Sequence, residues 1–167
     1  MRRDTGRSVF ALILTSAVFA AAASYPGIAC SCDTSITFST GQELDRHEMV
    51  FAGVLEEVFP LSLSWLQVGE QPVIQTTIAR FRVTQVWKGV SGSEVEVFSA
   101  APGGSCGYPL REGVAYVVFA KQDQMFSNAP RLGVSRCSPT APLADAARRV
   151  KQLNRVLEKR ARKSHDS

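Results

Sequence analysis

Residues 73–89 read VIQTTIARFRVTQVWKG, and the alternation inside them decides the fold. Ala79, Phe81 and Val83 alternate with Arg80, Arg82 and Thr84. A period of two places one set on the buried face of a strand and the other on its wet face. The pattern predicts a long strand from Val73 to Trp87, closed by Lys88-Gly89. Toward the N-terminus, Val50–Val58 (VFAGVLEEV) is rich in β-formers, and Gly53 predicts a bulge or a close backbone approach there. The intervening residues 59–72 (FPLSLSWLQVGEQP) carry Pro near both ends and predict a hairpin loop with exposed apolar side chains. Toward the C-terminus, Glu94–Phe98 alternates charge with Val, the mark of a half-buried strand. Pro102-Gly103-Gly104-Ser105 predicts a turn leading into Cys106-Gly107. The run VAYVVFA (Val114–Ala120) is the most apolar and is expected at the centre of the sheet, and RLGVSR (131–136) gives a last short strand ending at Cys137.

Two helices are expected around these strands. Thr40 and Glu43 have capping-box spacing and predict a short helix over residues 41–49. After Pro142 the apolar period changes to three or four, through Leu143, Ala146, Ala147, Val150, Leu153 and Leu157. That predicts an amphipathic helix from Pro142 to Ala161, with its arginines and lysines in water. Five or so strands, a small helix and a packed terminal helix imply a mainly β fold, an OB-like five-stranded β-barrel. No internal repeat or low-complexity segment is present.

The first 29 residues read differently. Arg2, Arg3 and Arg7 precede an apolar or small run from Val9 to Ala23, a basic region followed by a core of signal-peptide length. The run falls short of the roughly 20 apolar residues that a membrane span needs. Gly27 and Ala29 supply small residues at −3 and −1, so cleavage after Ala29 leaves Cys30 as the new N-terminus; Ala21 and Ala23 offer a competing site that starts the chain at Ser24. Lipidation of Cys30 is disfavoured by Gly27, which stands where a lipoprotein signal wants a large aliphatic residue. The expected organisation is a signal peptide over 1–29, a barrel domain over 30–143, and a helix with a basic tail over 144–167. The expected location is extracellular or periplasmic.

The 167-residue chain carries a formal charge of +4. From Cys30 onward this falls to +2, made of +5 in residues 144–167 and −3 in residues 30–143. A mildly acidic body with a basic tail argues against a nucleic-acid groove. The tail reads as a solvated helix face in preference to a contact with an acidic envelope or membrane surface.

All four cysteines, Cys30, Cys32, Cys106 and Cys137, follow the signal segment. An even count in an exported chain reads as two disulfides, and Cys30 with Cys32 is a poor pair because one residue separates them. Two pairings remain, Cys30–Cys106 with Cys32–Cys137, or Cys30–Cys137 with Cys32–Cys106. Either staples the mature N-terminus to two distant segments, and a terminus fixed so firmly is expected to be used. A metal site of the protein's own is disfavoured, since thiols in an oxidising compartment pair first and neither His47 nor His165 lies near a cysteine in sequence.

Catalysis needs a nucleophile with a base, paired carboxylates or a metal cluster. His47 sits on a polar helix near Asp45 and Glu48 and reads as a solvated side chain. Glu56-Glu57 and Glu94/Glu96 read as solvent-facing strand residues. There is no phosphate-binding glycine loop and no G-x-S-x-G. The sequence therefore reads as that of a protein that is not an enzyme and needs no cofactor.

The mature chain resembles the netrin-like (NTR) module, and more closely the tissue inhibitors of metalloproteinases (TIMPs). The resemblance rests on the Cys-x-Cys start, the short helix and Val50-Phe51-Ala52-Gly53-Val54. It continues through Phe81-Arg82-Val83-Thr84-Gln85-Val86-Trp87-Lys88-Gly89, Cys106-Gly107, the strand from Gly113 to Ala120 and Cys137-Ser138-Pro139-Thr140, covering residues 30–157. It implies that the free α-amine and carbonyl oxygen of Cys30 chelate the catalytic zinc of a partner metalloprotease. Ser31 would enter the protease's primed-side pocket, and the pairing would be Cys30–Cys106 with Cys32–Cys137. These 167 residues hold no counterpart of the animal inhibitors' third disulfide or their second domain, and Asp33-Thr34-Ser35-Ile36 replaces their proline-rich stretch. The alternative carried beside inhibition is a non-inhibitory NTR-type interaction or envelope module on the same barrel.

Overall fold

The structure, a computed structural model, describes residues 31–33, 35–62, 67–68, 71–72, 75–100, 106–122 and 131–165. The signal segment, Cys30 and the expected turn at 102–105 lie outside the described residues.

Eight strands are described: β1 (Met49–Ser62), β2 (Gln67–Val68), β3 (Gln71–Pro72), β4 (Gln75–Lys88), β5 (Glu94–Ala100), β6 (Ala115–Gln122), β7 (Leu132–Gly133) and β8 (Ala141–Pro142). Five of them close a barrel in the order β1-β4-β5-β7-β6 and back to β1, while β8 adds to the outer edge of β6. The neighbours are antiparallel except β5 and β7, which run parallel where Phe98 meets Gly133. This is the mainly β, OB-like five-stranded barrel expected from the alternation.

The long alternating strand is Gln75–Lys88, and the residues expected as a loop from Phe59 are ordered further than the prolines suggested. β1 continues through Phe59↔Ile78 to Ser62↔Gln75, so Phe59–Ser62 are strand. Pro60 is tolerated because β1 pairs with β6 only over Met49–Val54, leaving its far half with β4 alone, as an edge.

Three register shifts bend β1 as it closes the barrel, one of them between Ala52 and Gly53. A Cβ on Gly53 would sit 2.9 Å from the Arg82 carbonyl oxygen, so the bulge and the close approach coincide. The shift between Leu55 and Glu57 turns two consecutive glutamates outward. Glu56 then pairs with Arg82 at 2.8 Å, and Arg80 bridges Glu57 at 3.5 Å and Glu96 at 3.1 Å. All five are side chains of the barrel's wet face.

The core has two compartments. Phe51, Leu55, Ala79, Phe81, Val97 and Val118 fill the barrel. Val50, Ala52, Val117 and Phe119 point the other way, toward the helices, with Trp87, Leu44 and Leu153. β6 is thus covered on both faces, which is why its sequence is continuously apolar rather than alternating.

Helix α1 (Thr40–Arg46) starts one residue earlier than expected, at the residue read as its cap, and ends three residues earlier. The box is Ser39 with Gln42, whose Oε1 accepts from the Ser39 backbone at 2.9 Å. Thr40 is drawn off instead, donating to Gln152 Oε1 at 2.7 Å on the second helix. The solvated reading of His47 is corrected: the chain leaves α1 there in extended conformation, and the ring turns inward to 6% exposure. His47 Nδ1 lies 2.7 Å from the Glu43 carbonyl oxygen, and its ring stands edge-on to Phe119 at 5.4 Å.

The second helix, α2 (Ala147–His165), starts later and ends later than expected. Pro142 belongs to β8, and a 3-10 turn at Leu143–Asp145 precedes the helix. Leu153 is fully buried and Val150, Val156 and Leu157 pack beside it, whereas Ala147, assigned to the apolar face from the sequence, is exposed. The helix packs on the barrel and on α1.

Candidate functional site

The Val-Trp-Lys-Gly segment of β4 fixes both helices. Trp87 is buried beneath α2, and its indole Nε1 donates to Asn154 Oδ1 at 2.7 Å. Lys88 Nζ donates to the carbonyls of Leu44 and Asp45, each at 3.0 Å, satisfying the open end of α1. Gly89 takes φ +71°, and a Cβ there would meet the Glu48 carbonyl oxygen at 2.0 Å. Only glycine fits such a turn.

Upstream of α1, residues 31–33 and 35–39 are irregular and mostly exposed, a short ridge on the surface. Its beginning is bolted by the Cys32–Cys137 disulfide, Cα to Cα 5.4 Å. Cys106 is also disulfide-bonded, and no described cysteine is free. The two anchoring segments lie side by side: Arg136 N donates to the Cys106 carbonyl at 2.9 Å, and Gly107 bridges Ser135. Cysteines two apart in an extended segment point to the same face, so neighbouring anchors suit a Cys-x-Cys staple.

Both anchors are held from behind. Cys106 adopts φ 61°, an uncommon conformation for a residue with a side chain. The next residues are tied to β5 where Tyr108 N donates to Ser99 Oγ at 2.8 Å. On the other segment, Ser138 Oγ donates to the Ser135 carbonyl at 2.8 Å, closing a turn around Cys137. Arg149 of α2 donates to the Pro139 carbonyl.

The ridge itself faces solvent. Ser31, Asp33, Ser35 and Thr37 are exposed, and Ile36 is 56% exposed. Asp33 organises its middle, accepting from Ser35 N at 2.9 Å and Ser35 Oγ at 2.5 Å. Those donors hold the Asp33 carboxyl below its ordinary pKa, the hydroxyl contributing more than the backbone amide. At the far end the Arg46 guanidinium lies over the Phe38 ring, 3.8 Å from its centroid.

Of the residues expected at the site, the structure brings Cys32 to Cys137, sets Ser31 beside them on the surface, and places Cys106 next to Arg136. Cys30 lies outside the described residues. Among the described residues no cluster of three or more His, Cys, Asp or Glu is arranged to hold a metal ion. The side chains that sequence reasoning missed are those of Arg46, which covers Phe38, and Arg149, which donates to the Pro139 carbonyl; Arg136 contributes its backbone amide alone. No residue-type pattern marks them, because their partners, eight and ten residues away, are a ring and a backbone carbonyl.

Fold and described geometry together define a class of protein, an OB-like barrel with the residues before α1 tied to it by the Cys32–Cys137 disulfide. No family model matches the chain, and no curated protein matches it.

Proposed function

We propose that this protein is an exported inhibitor of zinc metalloproteases that works as its resemblance to the TIMPs implies. In this reading Cys30 is the mature N-terminus and pairs with Cys106, the one pairing left once Cys32 bonds Cys137. The observation that supports the reading is the Cys32–Cys137 bridge, which ties the segment bearing the exposed Ser31 to the turn at Ser135–Ser138. An α-amine titrates near about 7.7–8, so the Cys30 amine binds metal in its neutral form at small proton cost. Amine and carbonyl together would take the open zinc position where the hydrolytic water sits. Ser31 would fill the adjacent pocket.

The experiment compares the secreted protein, its Cys30 start verified by mass spectrometry, with the same protein N-acetylated, against a panel of zinc metalloproteases. An acylated amine has no available lone pair, so inhibition by the native form should vanish on acetylation while the melting temperature stays put. Equal inhibition by both forms, or none by a verified Cys30 start, overturns the proposal.

One observation favours a second reading, a non-inhibitory interaction module. Asp33 places a firmly ionised carboxylate on the ridge, which a protease cleft would have to desolvate or pair. A mature protein that starts at Ser24 would block the Cys30 amine and favour this reading.

A further inference from the structure

Helix α2 carries a second surface, independent of the ridge. Arg148, Lys151, Arg155, Lys159 and Arg162 are all exposed. Their spacings are three, four, four and three, so at about 100° per residue they fall within an arc of about 80°, in a line about 21 Å long. The buried Leu153 lies on the opposite side of the same helix. None of the five joins an ion pair among the described residues, whereas Arg160, on another face, pairs with Asp45 at 2.8 Å. Glu158 is the one acid in the helix, and it sits at the edge of the stripe.

Helix stability accounts for Arg162, which lies in the last turn where cations are favourable, but not for the rest of the row. The first turn of α2 has no acidic residue, and Arg148 and Lys151 sit near the positive end of the helix dipole, where cations are unfavourable. Lys151–Arg155 and Arg155–Lys159 are like-charge neighbours four apart, which weaken a helix further. Solubility would be served by the same charges dispersed and paired.

We propose that this face docks the protein on an anionic lipid bilayer. A straight row of cations on a convex, exposed helix matches a plane of negative headgroups. The apolar side of α2 is already buried against Trp87, Val117 and Phe119, so the helix has no second face to insert, and the contact is electrostatic. Disulfides at Cys32, Cys106 and Cys137 belong to an oxidising compartment outside the cytosol, where lipid headgroups rather than nucleic acid are the extended anionic surface.

Flotation of the full-length mature protein with vesicles tests the proposal. Vesicles of phosphatidylcholine alone should not retain it, and vesicles containing phosphatidylglycerol should retain it at about 50 mM NaCl and release it at about 500 mM. Lys151→Gln/Arg155→Gln/Lys159→Gln should weaken that binding by about a hundredfold. Arg80→Gln/Arg82→Gln, which removes cations from the barrel wall, should leave it within about threefold. Circular dichroism and melting confirm the fold of each variant, and Arg148→Gln/Arg162→Gln serves as the stripe variant should the triple change unfold the helix. Failure to float with phosphatidylglycerol vesicles at low salt overturns the proposal. So does an equal loss in the barrel-wall variant, or retention on a DNA duplex or a sulfated polysaccharide without retention on the vesicles.

Discussion

Replacing Cys32 and Cys137 together by serine tests whether the ridge is held by its crosslink or by its packing. Cys137 is exposed and Cys32 half-buried, so the exchange of sulfur for oxygen removes little buried surface, and the loss of the crosslink dominates. The bridge spans a sequence separation of 105, which in the chain-entropy model corresponds to about 4.7 kcal/mol. If the proposed Cys30–Cys106 bridge already ties the N-terminus, the loop that Cys32–Cys137 adds shrinks to about 31 residues, and the contribution falls to about 3.7 kcal/mol. For a folded body of this size that is a drop of roughly 10–15 °C in melting temperature. Thermal melts of the oxidised parent and the double variant by circular dichroism give the number. Hydrogen exchange read by mass spectrometry should show residues 31–38 losing protection before β1 or β6 does. A variant that melts within about 2 °C of the parent would refute the crosslink reasoning.

Two further outcomes follow from the core and the ridge. Leu153→Ala empties a fully buried site beneath α2 and should cost about 2–5 kcal/mol, with the near-ultraviolet signal of Trp87 altered because both belong to the same compartment; chemical denaturation measures it. The Asp33 carboxyl should titrate below its ordinary 3.8 by NMR, because Ser35 bonds favour its ionised form. A depressed folded pKa means that the turn's contribution is present above the unfolded value and is lost only as pH falls through the folded one, so Asp33→Asn should remove the shift of the Ser35 amide seen across that window.

The barrel was legible because its signal is local and repeated. Ala79, Phe81, Arg80 and Arg82 declare their faces by alternation, and VAYVVFA declares double coverage by its lack of it. The elements that were misread depend on distant partners. His47 has three polar neighbours in sequence, yet it is buried because the end of α1 turns it onto Phe119, a residue 72 positions away. Thr40 looks like a cap and is instead a link to Gln152, so the cap moves to Ser39. Ala147 counts with the core in the sequence, but it follows the buried Ala146 and so lies about 100° off the face formed by Ala146, Val150, Leu153 and Leu157. The cysteine spacing pointed to a stapled N-terminus, while the side-by-side anchors that make the staple feasible required the Gly107–Ser135 bridge, which no local pattern announces.

The ridge is restrained by means other than proline. It is fixed at Cys32 by the disulfide, at Asp33 and Ser35 by two hydrogen bonds, and at Phe38 and Ser39 by the Arg46 stack and the helix cap. Each residue already ordered before binding spares a partner about 1–2 kcal/mol of ordering entropy. If the ridge docks on a protein as proposed, its chemistry also constrains that surface. The Asp33 carboxylate keeps its two Ser35 donors on one oxygen, and an incoming surface must offer the other a donor or a cation, or leave it in water. A partner that met Ser31 and Ile36 with an apolar wall reaching Asp33 would lose on that charge what it gained from the fixed backbone. The surface that fits therefore has a small polar pocket at Ser31, an apolar contact at Ile36, and an arginine, a lysine or open solvent between them.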